Sequence, residues 1–317
     1  MSAVITITVN PCIDISAHIP ELMPEKKLHC STLKKEPGGG GINISRVIQR
    51  FGGSTIAIYP AGGYTGDFFN KMLDDEQVQS LRIHINDFTR ENIVVKEDCS
   101  NLQYRFGMPG PVIQDREWEK ILLELSAINE VEFIVASGSL APGVPGDFFA
   151  RVGEIAKLKN AKYILDTCGA PLKLALANSL YMIKPNLGEL ATLTGVKKLT
   201  KETATSAAKK IIYNKQAEIV VISMGAEGAL LVTDSMVEHI IAPEVNIKST
   251  VGAGDSMVAG IVMALAAKST IKEAVQYGIA CGTAATMCEG TGLCSKDDAM
   301  QLFQFMTGIK KEPYAFA

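Results

Sequence analysis

The chain has 317 residues, of which 47% are apolar and 21% charged, and its formal net charge is −3. This length and apolar content suffice for a large core in one or two domains, and the charge argues against a basic surface for nucleic acid or an anionic membrane. We therefore expect a globular protein whose partner is a small molecule.

The cysteines and the N-terminal segment bear on the compartment. The seven cysteines are scattered and never spaced as CxxC, which favours neither a disulfide framework nor a zinc site. The start, MSAVITITVNP, has no basic region or cleavage site and is typical of a strand. The longest apolar stretch, residues 257–267, falls short of the roughly 20 residues that a membrane helix needs. We expect a cytoplasmic protein without a membrane partner.

Short β-branched or apolar stretches alternate with helical patterns along the chain. The predicted strands VITITV, TIAIYP and EFIVAS are each followed by a helix, at 42–51, 66–75 and 146–157. The alternation continues through KYILD, YMIK and EIVVIS and ends in two long helices after residue 254. This pattern predicts a three-layer α/β/α domain with a mostly parallel central sheet.

Two stretches interrupt the alternation, at about 14–36 and 88–107. The second contains two strand patterns around the turn EDCSN, which predicts a hairpin. We interpret both stretches as a small β-sheet lid inserted into a single domain that spans residues 1–317. The lid would leave one face to cover against water or against another subunit.

Polar and glycine-rich segments follow the predicted strands: NPCID, SGSL, DTCG, KPNLGE and SMGAEG. Because parallel sheets place ligands at the carboxyl ends of their strands, we expect these segments to form one active-site edge. The four histidines show no ligand or triad spacing and receive no role.

Four adjacent glycines, 38–41, open the first predicted helix. Neither the P-loop pattern nor GxGxxG is matched. Glycines such as Gly38 and Gly39 let the backbone approach a ligand closely, and Asn43 one turn later can hydrogen-bond hydroxyl groups. The alternative is a flexible loop, which rarely needs four adjacent glycines at a helix start.

The stretch STVGAGDSMVAG, residues 249–260, places a carboxylate at the start of an apolar helix. Backbone N–H groups at the start of a helix can bind anions. Here these would be the N–H groups of Gly252, Ala253 and Gly254. Asp255 beside them suits the general base of a phosphoryl transfer, and the helix dipole favours its ionised form. N-terminal capping by Asp255 explains the spacing equally well.

Two further segments suit a nucleotide and its metal ion. In KPNLGE, Asn186 and Glu189 are three apart on a helix, which suits water-coordinated magnesium or, equally, a capping box. SMGAEG, residues 223–228, holds phosphates through its N–H groups or is an ordinary hairpin turn.

Three basic residues fall on the predicted lid: Lys27, Arg90 and Arg105. Basic side chains there would clamp an anionic group of the substrate. Taken singly, an exposed basic residue is more often simply solvated.

The pairing of PGGGGIN and its arginine helix with STVGAGDSMVAG resembles the two signatures of the ribokinase-like sugar kinases, the PfkB family, over nearly the whole chain. The fragments PEKKLHC, YRFGMPG, SGSLAPG and GTGLCS resemble the 6-phosphofructokinase branch of that family. The 1-phosphofructokinase and tagatose-6-phosphate kinase branches carry GGKG where this chain has only glycine. The resemblance implies a ribokinase-like fold and a glycolytic step, ATP-dependent transfer of the γ-phosphoryl group to the 1-hydroxyl of fructose 6-phosphate.

The resemblance also implies roles for single residues. Asp255 matches the catalytic base, and Gly252, Ala253 and Gly254 match the anion hole. The sugar site matches Asp14, Gly39 and Asn43, and the site of its 6-phosphate matches Lys27, Arg90 and Ser139. The ATP and Mg²⁺ side matches Lys184, Asn186, Glu189, Ser223, Gly225 and Gly228. Family lids pair between subunits, which implies a homodimer through the lid with Lys27 serving a neighbour's site.

One stretch departs from the family pattern. In TMCEGTG, residues 286–292, Cys288 and Gly292 stand where the resembling enzyme has asparagine and arginine. This loop matches the family's monovalent-cation and adenine neighbourhood, so K⁺ stays open as a second cofactor. The other two kinase branches are the alternatives within the class, and a non-catalytic sugar-phosphate sensor is the alternative outside it, although a sensor needs no base.

Overall fold

In a computed structural model of the protein, residues 3–308 are described. The domain span of 1–317 proposed from the sequence includes positions 1–2 and 309–317, which lie outside the described residues. The strands are β1 Ala3–Ile7, β2 Cys12–Ile19, β3 Ser31–Gly38, β4 Thr55–Ala61, β5 Ser80–His84, β6 Arg90–Glu97, β7 Gln103–Phe106, β8 Val131–Ser137, β9 Lys162–Asp166, β10 Leu180–Ile183, β11 Ala217–Ser223, β12 Ala229–Val232 and β13 Val237–Ile240. The helices are α1 Gly40–Arg50, α2 Gly63–Asp75, α3 Asp115–Ala127, α4 Phe148–Leu158, α5 Gly169–Ala175, α6 Leu187–Thr194, α7 Lys201–Tyr213, α8 Ala253–Ala266, α9 Ile271–Thr286 and α10 Lys296–Thr307.

The central sheet has nine strands in the order β13-β12-β11-β10-β9-β8-β1-β4-β5. All neighbours from β11 to β5 are parallel, which confirms the predicted sheet. At the other edge β12 and β13 are antiparallel. The connection 224–228 between β11 and β12 is too short for the crossover that a parallel pair needs, so a hairpin forms.

Helices cover both faces of this sheet, as the alternation predicts. Along β8, Ile134 packs into the core beneath α3 to α7, whereas Phe133 and Val135 face the core formed with α1 and α8 to α10. The apolar stretch 257–267 forms most of α8, which is buried between α1 and α9. Within residues 3–308, no helix is long and apolar enough to span a membrane.

Two helices were missed by the sequence analysis, α3 and α10, so three helices and not two follow residue 254. Both begin at a recognisable signal. At α3, Gln114 and Glu117 form a capping box, and at α10 the Ser295 hydroxyl accepts from the backbone N–H of Asp298. Neither helix follows one of the predicted strands directly, which is why strand–helix alternation did not reveal them.

The small sheet contains four strands in the order β3-β2-β6-β7. β6 and β7 form the predicted hairpin, and β2 pairs with β3 on one side and with β6 on the other. The predicted lid sheet is therefore present, with β2 starting at Cys12 and β3 ending at Gly38. Because β3 runs directly into α1, the lid is joined to the glycine run without a linker.

Candidate active site

The strand ends that carry the polar segments meet where the sheet reverses its order. β1 lies between β8 and β4, so the strand order runs in opposite directions on its two sides. In open α/β sheets, ligands bind at the carboxyl ends of the strands at such a reversal point. There Asn10, after β1, donates through Nδ2 to Ser139 Oγ at 3.2 Å. Ser139 itself is exposed beyond the end of β8.

The glycine run is tightly packed and is not a flexible loop. A Cβ on Gly39, whose φ is 115°, would lie 2.7 Å from Thr8 Cγ2, and a Cβ on Gly41 would lie 2.6 Å from Thr8 Oγ1. A Cβ on Gly40 would overlap the Ser137 side chain. The flexible-loop alternative is thus wrong, and packing of α1 against β1 and β8 is a reason for these glycines that the sequence analysis did not consider.

Gly38 lies beside the sugar-side candidate Asp14. A Cβ on Gly38 would overlap the Asp14 carboxylate, which accepts from Cys12 Sγ at 3.3 Å and from Asn92 Nδ2 at 3.2 Å. Burial raises the pKa of the Asp14 carboxyl, and these two hydrogen bonds act in the opposite direction. Asp14 therefore stands as an acceptor in a narrow space between the lid and the glycine run.

The two glycine motifs meet through one side-chain contact. Asn43 Nδ2 donates to Asp255 Oδ2 at 2.9 Å, although the residues are 212 positions apart. Gly252, with φ 74°, is the N-cap residue of α8, and Asp255 lies in the first turn. N-terminal capping by Asp255, the equal alternative from spacing alone, is therefore wrong.

The ionisation of Asp255 is set mainly by burial. Loss of water contact raises the pKa of its carboxyl from 3.8 to about 6, the Asn43 hydrogen bond and Lys184 lower it, and Asp166 and Asp14 raise it. The sequence predicts that the helix dipole favours the ionised form, but desolvation outweighs that effect. A carboxyl with a pKa near 6 is still mostly ionised at neutral pH and takes up a proton more readily than an exposed aspartate.

Lys184 supplies a positive charge beneath the turn formed by Gly252, Ala253 and Gly254, here called the GAG turn. It is buried, its Nζ lies 3.2 Å from Asp166 Oδ1, and a Cβ on Gly254 would lie 3.3 Å from that Nζ. Burial opposes the charge, but Asp166 together with Asp255 and Glu189 outweighs burial and raises the pKa of Lys184. An anion at this turn would thus face both N–H groups and an ammonium group. In the sequence, Asp166 lies in DTCG after a predicted strand, where no spacing pattern indicates a role for it.

Arg90 lies at the same edge as Asn10. Its Nη2 donates to Asn10 O at 2.9 Å and its Nη1 to Met108 O at 3.0 Å, while its buried Nε has no partner within residues 3–308. The guanidinium is therefore fixed close to Ser139, the other candidate for the 6-phosphate. These two predicted residues are brought together by Asn10, which the sequence analysis named only within NPCID.

Arg105 and Lys27 do not lie at the edge formed by Arg90, Asn10 and Ser139. Arg105 Nη2 donates to Thr250 Oγ1 at 3.0 Å, so β7 of the lid reaches the segment before the GAG turn. Lys27 lies exposed in the connection between β2 and β3, and this connection starts beside 97–99 at the far end of β6. Five residues of extended strand, roughly 17 Å, separate Asp14 from that end of β2. The structure does not bring Lys27 to its own Asp14.

A cavity of about 530 Å³ opens beside the GAG turn. Its wall includes Ala253 and Gly254 together with the β11–β12 turn, so SMGAEG is both a hairpin turn and a cavity wall. The lining residues are small or apolar over most of the surface: Ser223, Gly225, Ala226, Gly228, Met257, Ile279, Gly282, Thr283 and Thr286 among them. A cavity of this volume and lining suits the heteroaromatic base of a nucleotide, with the phosphates of that nucleotide extending towards Gly254.

Asn186 and Glu189 form a capping box at α6. Asn186 Oδ1 accepts from the Glu189 backbone at 2.9 Å, and Glu189 Oε2 accepts from the Asn186 backbone at 2.8 Å. Neither residue, nor Lys184, lines the cavity. Within the described chain, no group of three or more His, Cys, Asp or Glu side chains is placed to hold a metal ion.

The loop 286–292, whose sequence departs from the family pattern, packs beside both the glycine run and the segment STVGAGDSMVAG. Thr291 Oγ1 donates to Glu36 Oε2 at 2.6 Å, and the Ser249 hydroxyl donates to Gly290 O at 2.6 Å. The carbonyl of Thr286 accepts from the backbone of Lys248 at 2.8 Å and of Ser249 at 3.2 Å. The loop therefore bridges the end of β3 and the segment before the GAG turn.

Comparisons with known proteins agree with this arrangement. The model of the pfkB family carbohydrate kinases matches residues 1–298. The chain is 37% identical to the ATP-dependent 6-phosphofructokinase isozyme 2 of Escherichia coli (strain K12), over 97% of this chain and 100% of that protein. It is 30% identical to the 1-phosphofructokinase of Bacillus subtilis (strain 168), over 90% of this chain and 93% of that protein.

Solved structures show the same similarity. The phosphofructokinase-2 of Escherichia coli in complex with potassium superimposes with a TM-score of 0.93 at 37% identity, over 97% of this chain and 100% of that chain. The complex of that enzyme with fructose-6-phosphate gives a TM-score of 0.91 at 36% identity with the same coverage. The similarity thus spans both the central sheet and the lid.

Proposed function

The chain belongs to the pfkB family of carbohydrate kinases and has its ribokinase-like fold, and on that premise we propose that it is an ATP-dependent 6-phosphofructokinase. It would transfer the γ-phosphoryl group of ATP to the 1-hydroxyl of fructose 6-phosphate and give fructose 1,6-bisphosphate. The observation that carries the proposal is the Asn43–Asp255 hydrogen bond. It joins the glycine run beside Asp14 to the anion-binding turn beside the cavity.

Asp255 acts as the general base in this proposal. The 1-hydroxyl oxygen attacks the γ-phosphorus, the bond from that phosphorus to the bridging oxygen breaks, and the hydroxyl proton passes to the Asp255 carboxylate. The N–H groups of 252–254 and the Lys184 ammonium lie where negative charge on the moving group needs compensation. Because Asp255 takes up a proton as the bond forms, its repulsion of the phosphoryl group falls during the reaction.

The opposite end of the sugar phosphate is held by the edge between the lid and β8. Arg90 and Ser139, both in contact with Asn10, are available for the 6-phosphate, and a guanidinium suits the geometry of a phosphate group. Asp14, as an acceptor, is available for sugar hydroxyls. A substrate held at its 6-phosphate and its hydroxyls would bring its 1-hydroxyl to the Asp255 carboxylate, whose Oδ2 is oriented by Asn43.

The residues present fit a magnesium ion that keeps most of its water. Glu189 uses one carboxylate oxygen in the capping box, which leaves the other for a bound water, and Mg²⁺ commonly takes one or two protein carboxylates plus nucleotide phosphates. When bound, the ion would neutralise charge on the phosphates. Potassium takes carbonyl oxygens as ligands; in loop 286–292 the Thr286 carbonyl already accepts two hydrogen bonds, whereas the Gly290 carbonyl accepts one, from Ser249.

We further propose a homodimer through the lid. Several apolar side chains on the small sheet and in its β6–β7 connection are exposed, with Leu33 at 65%, Leu102 at 56% and Phe106 at 45%. Such a surface favours a protein contact. Pairing of two lids would also give Lys27 a role at the neighbour's 6-phosphate. The seven unpaired cysteines agree with a reducing, cytoplasmic location.

Product analysis tests the proposed reaction. The purified protein with ATP, Mg²⁺ and fructose 6-phosphate is expected to form a sugar bisphosphate whose new phosphorus-31 signal couples to the C1 protons. Fructose 6-phosphate binding without turnover would contradict the enzyme and favour the non-catalytic sensor.

A further inference from the structure

Arg46 is a fully buried arginine one turn after Asn43 in α1, with 1% of its surface exposed. Its guanidinium donates through every nitrogen. Nε donates to both carboxylate oxygens of Glu76 at 3.0 Å, Nη2 to Glu76 Oε1 at 2.6 Å and Glu36 Oε1 at 3.4 Å, and Nη1 to Pro37 O at 2.8 Å and Asn43 Oδ1 at 3.4 Å. The proposed reaction gives this side chain no contact with a substrate.

The guanidinium is held in place independently of Asn43. A buried charge is stable only when paired and hydrogen-bonded, and Glu76 pairs with it through two nitrogens. Burial opposes ionisation of Glu76, but Arg46 and, after it, Arg50 together outweigh burial and lower the pKa of that carboxyl. The Pro37 carbonyl fixes the direction of Nη1. Since a guanidinium is planar and rigid, these contacts fix where Nη1 points.

A side-chain amide can face a neighbour with its oxygen or with its NH₂ group, because the two have nearly the same shape. Arg46 Nη1 donates to Asn43 Oδ1, so the amide oxygen faces the guanidinium and the NH₂ group faces Asp255. We propose that Arg46 is a positioning residue that fixes the orientation of the Asn43 amide and, through it, the hydrogen bond to Asp255. This inference rests on the proposed function, in which Asp255 is the base.

The reversed amide would be harmful to the base. It would place Asn43 Oδ1 against the Asp255 carboxylate, so that two acceptors would face each other without a proton between them. The Asn43 hydrogen bond lowers the pKa of Asp255, and its loss would raise that pKa. The ionised form would then be reached only at higher pH, and the carboxylate would lose its contact with α1.

The test is Arg46→Lys, which keeps the positive charge between Glu36 and Glu76 but removes the planar fork. We expect the acidic limb of the kcat/KM pH profile to move up by about one pH unit, the size expected for loss of one hydrogen bond to a charged group. The substrate's own phosphate titration is the same in both proteins and cancels. The matched control is Arg50→Met. It removes the other arginine that pairs with Glu76, whose Nη2 lies 3.2 Å from Glu76 Oε2. In this variant the acidic limb of the kcat/KM profile should stay at its wild-type pH.

A double-mutant cycle separates this role from a general effect of charge or packing. In an Asn43→Ala background, Arg46→Lys should add no further displacement of the acidic limb, because the amide is already absent. An unchanged limb in Arg46→Lys, or the same displacement with and without Asn43, would overturn the proposal. If Arg46→Lys does not fold, Glu76→Gln weakens the anchor of the guanidinium at a partly exposed position and is tested through the same cycle.

Failure of the proposed function can be told apart from failure of this inference. The pH profiles are measured with whichever sugar phosphate turns over fastest, so a different substrate preference leaves the test intact. If no sugar phosphate turns over, the proposed function fails. Carbon-13 NMR titration of the Asp255 carboxyl, assigned with Asp255→Asn, then gives the same comparison, and an unshifted pKa in Arg46→Lys would overturn the role of Arg46.

Discussion

Burial and one hydrogen bond act on the Asp255 carboxyl in opposite directions. Burial raises its pKa to about 6, and Asn43 opposes that rise while fixing the direction of Oδ2. The result is a base that is ionised near neutral pH and still accepts a proton readily. Asp166 and Lys184 set the charge on the other side of the GAG turn.

Replacing Asp255 with Asn should lower kcat by about 10²–10⁴-fold, the usual effect of losing a general base, with little change in binding of either substrate. Steady-state kinetics and isothermal titration measure the two effects. The matched control is Asp298→Asn, which removes an acidic residue from the same position of the first turn of α10. Turnover of Asp255→Asn within a few fold of the wild type would remove the base from the mechanism.

The raised pKa of Asp255 also predicts a cost in stability. In the unfolded chain the carboxyl ionises near 3.8, in the folded chain near 6, so the cost is absent below the first pH and complete above the second. Asp255→Asn should therefore raise the free energy of unfolding by about 3 kcal/mol at pH 8, and by less at pH 5. Urea unfolding at both pH values measures this. A gain that is equal at the two pH values would disagree with a raised pKa.

For single residues, the sequence alone leaves the role of Asp255 ambiguous, and only the fold resolves it. Residue spacing around Asp255 fits a cap and a base equally, because an aspartate near the start of a helix can serve either role and the sequence does not fix where the helix begins. The deciding contact comes from Asn43, 212 positions away. Asp166, Asn10 and Arg46 are single polar residues without a spacing pattern, and their partners lie on other elements.

At the scale of elements, α1 joins the lid, the sheet and the base. It begins at Gly40 directly after β3 and packs its first turn against β1 and β8. The sequence predicted this helix and the strands around it because their hydrophobic periods are regular. It did not predict that the glycines serve close packing, since a glycine run gives no sign of which atoms lie next to it.

Gly40→Ala tests that packing. Its Cβ would overlap the Ser137 side chain, so α1 must shift, and we expect a loss of about 1–3 kcal/mol in the free energy of unfolding together with lower activity. Gly146→Ala, at an exposed glycine whose Cβ would meet only Leu174 Cδ1 at 3.5 Å, should leave the free energy of unfolding nearly unchanged. Adding Ser137→Gly should restore part of the loss. If Gly40→Ala unfolds like the wild type, the tight packing is not what this position requires.

At the scale of the whole molecule, the lid sheet stands apart from the central sheet and carries exposed apolar residues. Lys27 lies at the end of this sheet that is remote from its own Asp14. A dimer that pairs through the lids would place Lys27 near the active site of the other subunit. The same pairing would cover the exposed apolar residues of both lids. The sequence predicted the lid segments because they break the strand–helix alternation, but a single chain holds no pattern that fixes how two lids pair.

Mixed dimers test the shared site. Lys27→Ala and Asp255→Asn should each be weakly active at low fructose 6-phosphate, whereas a mixed dimer contains one site with both residues intact. Random exchange of subunits should therefore restore about a quarter of the wild-type activity. As the control, an equal mixture of Asp255→Asn with Lys26→Ala, a change of the adjacent lysine in the same connection, should keep about half of the wild-type activity whether or not the site is shared. No recovery with Lys27→Ala after proven exchange would place Lys27 outside the neighbour's site.

The most direct test of the central claim is a comparison of kcat/KM for fructose 6-phosphate, tagatose 6-phosphate and fructose 1-phosphate, with ATP and Mg²⁺ in parallel assays. A 6-phosphofructokinase with Asp255 as base should give its highest value with fructose 6-phosphate, and Asp255→Asn should lower that value. A dominant rate with tagatose 6-phosphate or fructose 1-phosphate would contradict the assignment.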